Sequence, residues 1–150
     1  MSGRFQFSLQ RVLEWRRTQL EVEEARLRQR MADLAAVDRA RAELEASAIR
    51  AEFELRRCPM LAGSDLRALA EFRAHVRAEE AGLAARRTEC AKAAAKQQAE
   101  MLTARQRCRL LEGLKERRIA EWTAAVDREL DAIAAESHLA KWGAARRRAL

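Results

Sequence analysis

Apolar and small residues return on a seven-residue beat through the second half of the chain: Leu69, Val76, Leu83, Cys90, Ala104 and Leu111, with polar Gln97 in the one missing place. Between Cys90 and Leu111 the companion positions join in. Cys90, Ala94, Gln97, Met101, Ala104, Cys108 and Leu111 follow one another at alternating steps of four and three. That is the spacing by which an α-helix keeps one narrow seam turned to a partner helix. No proline interrupts residues 66–142, so the pattern predicts a helix of ~115 Å at ~1.5 Å per residue, too long to fold round a compact centre. It predicts one arm of a coiled coil.

The first half carries a matching arm. Leu13, Leu20, Leu27 and Leu34 fall on strict seven-residue spacing, with Leu9, Val37 and Leu44 at companion positions. Arg16, Glu23 and Arg30 occupy the remaining companion places and must lay their stems over the seam. Ahead of this arm, residues 1–8 read as an extended lead with Phe5 and Phe7 on one side. Ser8 is a candidate N-cap, with Phe7 stapling onto Val12.

The break lies at residues 58–65. Pro59 lacks an amide donor and restricts Cys58, Gly63 permits a turn, and Ser64 or Asp65 is placed to cap the next helix. So short a connection favours antiparallel neighbours. The expected fold is all-α, a long antiparallel two-helix coiled-coil hairpin with a protruding C-terminal helix end. Its segments are the lead 1–8, helix 9–57, turn 58–65, helix 66–142 and a basic tail 143–150. A turn centred near residue 62 sets residue i opposite about 124 minus i, so Leu9 faces roughly Lys115. From about Ile119 to Trp142 the second arm then has no intramolecular partner. Ile119, Trp122, Val126, Leu130 and Ile133 form an apolar stripe there, the expected protein-binding surface. The competing expectation is that the lead folds over it, or that the helix bends back at Gly113.

Composition narrows the class. With 35% charged residues, one proline, no tyrosine, four phenylalanines and three tryptophans, the chain lacks the aromatics of a mixed core and suits long solvated helices. Disorder is disfavoured, because a disordered segment has no reason to keep a seam. The net charge is +7, but 23 acidic residues are interleaved with 30 basic ones. Only Arg146-Arg147-Arg148, with Lys141 nearby, is basic without acid. No dense basic block precedes the seam, so nucleic acid is not an expected partner. No apolar run approaches the ~20 residues that span a bilayer, and no direct membrane insertion is expected. Cys90 and Cys108 lie ~27 Å apart along one helix, beyond disulfide reach, and read with Cys58 as small apolar fillers in a reducing cytoplasm.

Chemistry finds no foothold. His75 has Glu79 one turn later, a pair that helices supply constantly, and His138 is solitary. There is no glycine-rich phosphate loop and no CxxC pair, and the carboxylates sit among arginines with no pocket to perturb them. The expectation is a non-enzyme without metal or cofactor.

The opening Phe5-Gln6-Phe7-Ser8-Leu9-Gln10-Arg11-Val12-Leu13-Glu14-Trp15-Arg16-Arg17 resembles the start of the FliJ family of flagellar type III export proteins. There an aromatic-rich lead precedes a long helix rich in Glu, Ala and Arg. Leu110-Leu111-Glu112-Gly113-Leu114-Lys115-Glu116-Arg117, followed by Glu121, Glu129, Leu130 and Asp131, is similar to that family's C-terminal helix. The likeness covers nearly the whole chain, and the lead is its distinctive part.

The resemblance implies an antiparallel coiled coil similar to the central stalk of rotary ATPases. Such a protein would be a monomer when isolated, cytoplasmic and peripherally associated with the inner membrane at the flagellar base. The implied partners are the hexameric flagellar export ATPase, whose assembly and activity it promotes, the cytoplasmic domain of the export-gate membrane protein, and export chaperones. The implied setting is flagellum biogenesis and motility. The family's gate contact is an aromatic with an apolar residue one turn later, matched here by Phe72 and Val76 with Leu69 and Leu83 flanking. Leu69, Val76 and Leu83 also lie on the seam, so packing competes with that role, while Phe72 fits the seam less well and is expected to be exposed. The end placed in the ATPase ring is Leu9, Leu13, Arg16 and Arg17 with Leu111, Lys115, Ile119, Trp122, Val126, Leu130 and Ile133. The alternatives are a generic coiled-coil scaffold, the stalk protein of a virulence type III secretion system, and, third, a basic nucleic-acid-binding helical protein.

Overall fold

The computed structural model describes residues 3–148. Two helices account for nearly all of them: α1 (Gln10–Arg57) and α2 (Gly63–Arg148), 48 and 86 residues long, packed against each other in antiparallel sense. The all-α hairpin expected from the heptads is the fold observed.

The local chemistry sets the boundaries, and three of them differ from the sequence reading. Pro59 ends α1 at Arg57, where the Cys58 amide closes a last tight turn onto the Leu55 carbonyl at 3.2 Å. α2 starts at Gly63, three residues before Leu66. Neither Ser64 nor Asp65 is its cap. Ala62 holds that place, accepting from the Asp65 and Leu66 amides at 3.0 and 3.3 Å. Asp65, at the third helical position, reaches back to accept from the Ala62 amide at 2.9 Å, one half of a capping box. Gly63 is therefore helical, with no left-handed φ.

The first bond of α1 runs from the Leu13 amide to the Leu9 carbonyl at 2.9 Å, so Leu9 and not Ser8 holds the cap position. The basic tail is not a separate segment either, because α2 continues through it to Arg148. Arg146, Arg147 and Arg148 lie in the last turn, where cations complement the partial negative charge of a helix C-terminus.

The chain forms two compact units. The turn-side unit, residues 19–104, buries Val37, Val76, Ala94, Gln97 and Met101 between its helices. Leu20, Leu27, Leu34, Leu44, Leu69, Leu83 and Cys90 stay half-buried, as a two-layer seam dictates. Arg73 meets Glu52 at 3.0 Å, and Arg87 meets Asp38 at 2.6 Å, across the seam. These pairs fall within a residue of the rule that sets i opposite 124 minus i. Gln97 reaches Glu23, four residues off that rule.

The terminal unit combines the N-terminal lead and start of α1, up to Thr18, with α2 from Arg105. Leu13, the one fully buried large side chain among the described residues, and Cys108 form its centre. Arg17 donates to Glu112 Oε1 from Nε and Nη2 at 3.1 and 3.0 Å. Lys115 Nζ donates to Gln10 Oε1 at 2.9 Å, one residue from the expected pairing with Leu9.

Candidate partner-binding surface

In the terminal unit the seam supplies α2 with a partner as far as Lys115, and the lead takes over from there. Along residues 4–8, Phe5 and Phe7 are half-buried while Arg4, Gln6 and Ser8 are exposed, the alternation of an extended strip lying on a surface. The Phe5 ring sits 6.0 Å from that of Trp122, tilted by 57°, within the range of a favourable aromatic pair. Arg4–Leu9 and Leu114, Arg118, Glu121 and Trp122 line a shallow cleft between lead and helix.

The expectation that everything beyond Ile119 is bare is thus corrected at its start: the lead covers part of Trp122, which keeps 38% of its exposure. The helix does not bend back at Gly113, because α2 runs through it unbroken. Val126 is half-buried, while Leu130 and Ile133 are 58% and 55% exposed. Leu139 and Trp142 are exposed as well, with Arg146 stacked 5.3 Å over the Trp142 ring.

Among the ring-facing candidates, Leu13 is wholly buried and Leu111 half-buried in the seam, so the hairpin itself uses them. Arg17 is held by Glu112, and Lys115 by Gln10. Leu9 and Ile119 are exposed, and Arg16 lies 4.7 Å over the Trp15 ring. The residues left to offer a surface together are Ile119, Trp122, Val126, Leu130 and Ile133.

The gate-type candidates sit in the turn-side unit. Val76 is buried and Leu69 half-buried, so both pack the seam. Phe72, expected to be exposed, is half-buried. It lines a groove with Ile49, Glu52, Arg73 and Val76, because its position leans toward α1 once the helices close.

Two seam groups have shifted electrostatics. Burial raises the Cys108 thiol above its ordinary pKa; the Glu112 charge adds to this and Arg17 opposes it, so the sulfur stays protonated and inert near neutrality. Asp38 raises Arg87, first by its hydrogen bond and then by its charge. Gln97 Nε2 donates to the Glu23 carbonyl at 3.3 Å and, by a short bond, to Glu23 Oε2; Arg26 contacts the same residue's Oε1 at 3.0 Å. Among the described residues, no buried side-chain nitrogen or oxygen lacks a partner. Nor does any group of three His, Cys, Asp or Glu side chains form a metal site there. No helix among them is long and apolar enough to cross a membrane.

No family model, curated protein or solved structure matches the chain. Sequence reasoning did not pair Glu23 with Gln97 in the turn-side seam, and it held the lead's return over the stripe only as the competing expectation. The Glu23–Gln97 pair was visible as two polar residues at seam positions on opposite arms, four residues out of exact register. The docking of Phe5 on Trp122 carried only the weak signal of two aromatics in an alternating lead.

Proposed function

We propose that the chain is a non-enzymatic, stalk-like component of a bacterial flagellar type III export apparatus. It grips a hexameric export ATPase through the terminal part of α2, promotes its assembly and activity, and links it to the export gate and chaperones. One observation carries the reading: α2 outruns α1, so the row from Val126 to Ile133 lies on a helix that its own hairpin cannot cover. An apolar row on a rigid helix is a surface for another protein. The FliJ-like opening at Phe5–Arg17 supports the class of partner, and the +7 charge suits an acidic lining.

The action is mechanical. A hairpin whose faces differ meets the subunits of a ring unequally and biases each by differential contact. Phe72, at the rim of its groove, is the gate contact in this reading, while Leu13, Leu69, Val76 and Leu111 hold the hairpin together. The protein works in the cytoplasm, beside the membrane. Mixing the chain with its cognate export ATPase is expected to raise hydrolysis and shift the ATPase toward hexamers. If neither changes, the stalk reading is overturned and a coiled-coil scaffold for another partner takes its place.

A further inference from the structure

The row on α2 has an order of its own. Trp122, Val126, Leu130 and Ile133 follow at steps of four, four and three; Ser137, Ala140, Ala144 and Arg148 continue at three, four and four. At ~100° per residue these eight positions lie within about 80° of the helix circumference. Their spacing is a palindrome about residue 135. A second copy running antiparallel therefore sets Ile133 against Ser137, Leu130 against Ala140, Val126 against Ala144, and Trp122 against Arg148. Three layers place a large side chain on a small one, which lets two helices approach closely. The fourth places a guanidinium on an indole.

The charges share this symmetry. Residues 119–137 carry Glu121, Asp127, Glu129, Asp131 and Glu136 against the single Arg128, whereas residues 138–148 carry Lys141, Arg146, Arg147 and Arg148 and no acid. The same antiparallel overlay brings Asp127 toward Lys141 of the second copy on one flank of the row. A parallel pair would stack acid on acid and arginine on arginine.

We propose that the terminal segment of α2 is a self-complementary docking surface, on which two copies of this chain pair antiparallel about a two-fold axis near residue 135. The expectation of a monomer came with the stalk resemblance, whereas the hairpin's own seam ends near Lys115 and leaves this row unaddressed. The pairing goes beyond the stalk reading and does not rest on it; where both hold, they use one face and exclude each other. Leu139 and Trp142, 65% and 59% exposed, lie on the far side of the helix and stay outside the pair.

The test is the mass of the full chain by sedimentation equilibrium, kept reduced because Cys58 is exposed. A dimer that forms with rising concentration and weakens with salt is expected. Leu130→Glu and Ala140→Glu should each weaken it at least tenfold with helicity unchanged, while Leu139→Glu leaves it intact. Asp127→Lys should weaken it, and adding Lys141→Asp should restore it. A monomer at every concentration, a Leu139→Glu defect equal to that of Leu130→Glu, or no rescue by the double charge exchange overturns the proposal.

Discussion

A glutamine at a seam position is destabilising unless something meets it, and Glu23 meets Gln97 with both its carbonyl and its carboxylate. Removing one partner leaves the other short of a bond in a half-dry place, whereas removing both leaves only apolar surface. Gln97→Leu alone is expected to cost ~1–2 kcal/mol, moderated by Arg26, and Gln97→Leu with Glu23→Leu to be at least as stable as the parent. Urea midpoints of the three proteins decide this. A double variant weaker than the parent would mean the pair stabilises the hairpin outright. Cys108 yields a second expectation. Its folded-state pKa is raised, so its contribution to stability is complete below the ordinary thiol range and lost as pH rises through the raised value. Urea midpoints should therefore fall on the alkaline side, and Cys108→Ala should flatten that fall. Thiol reagents at neutral pH should modify exposed Cys58 well before Cys108.

At the scale of the element, each helix relies on its stripe more than on intrinsic propensity. Leu27 sits half-buried on that stripe in the turn-side unit. Leu27→Asp should cost ~2–4 kcal/mol by losing apolar burial and placing a charge against α2. Circular dichroism melts would show it, and an unchanged melt would deny Leu27 a place in the seam. Gly82 offers the opposite experiment. It is helical, and a Cβ there meets nothing within 4 Å, so Gly82→Ala should add about 0.5–1 kcal/mol to stability in the same melts. The stripes were legible in the sequence because a two-helix seam has one period, and Cys90 to Leu111 obeys it at every step. The helix starts were not. Asp serves equally as cap or as third residue reaching back, and Leu9 as cap is chosen by the turn that Gln10 closes on Phe7. The lead was legible as extended, and its landing on the stripe only as the competing expectation, since so short a segment carries no period to match.

At the scale of the whole chain, the unequal reach of the arms followed from simple arithmetic once Pro59 was read as the break, and the pairs of Glu52, Asp38 and Gln10 keep to it. What arithmetic could not give was the lead's return over Trp122, a contact between residues distant in sequence. Trp122→Ala should leave the helical content and the seam intact, because only Phe5 packs its ring among the described aromatic pairs. On the stalk reading proposed above, it should weaken binding to an export ATPase several-fold, read by titration. Loss of helicity instead would make Trp122 a structural anchor and not a contact.

The cross-helix bonds form a graded ladder: Glu52–Arg73 spans 21 residues, Asp38–Arg87 spans 49, Glu23–Gln97 spans 74 and Gln10–Lys115 spans 105. Closing a longer loop costs more entropy, though only slowly more. During synthesis this orders events. The rungs beside the loop close while the chain is still being made, and the start of α1, made long before Lys115, waits longest for its mates. The leucines at the start of α1 then travel uncovered through most of translation, and a newborn chain is most in need of shelter there.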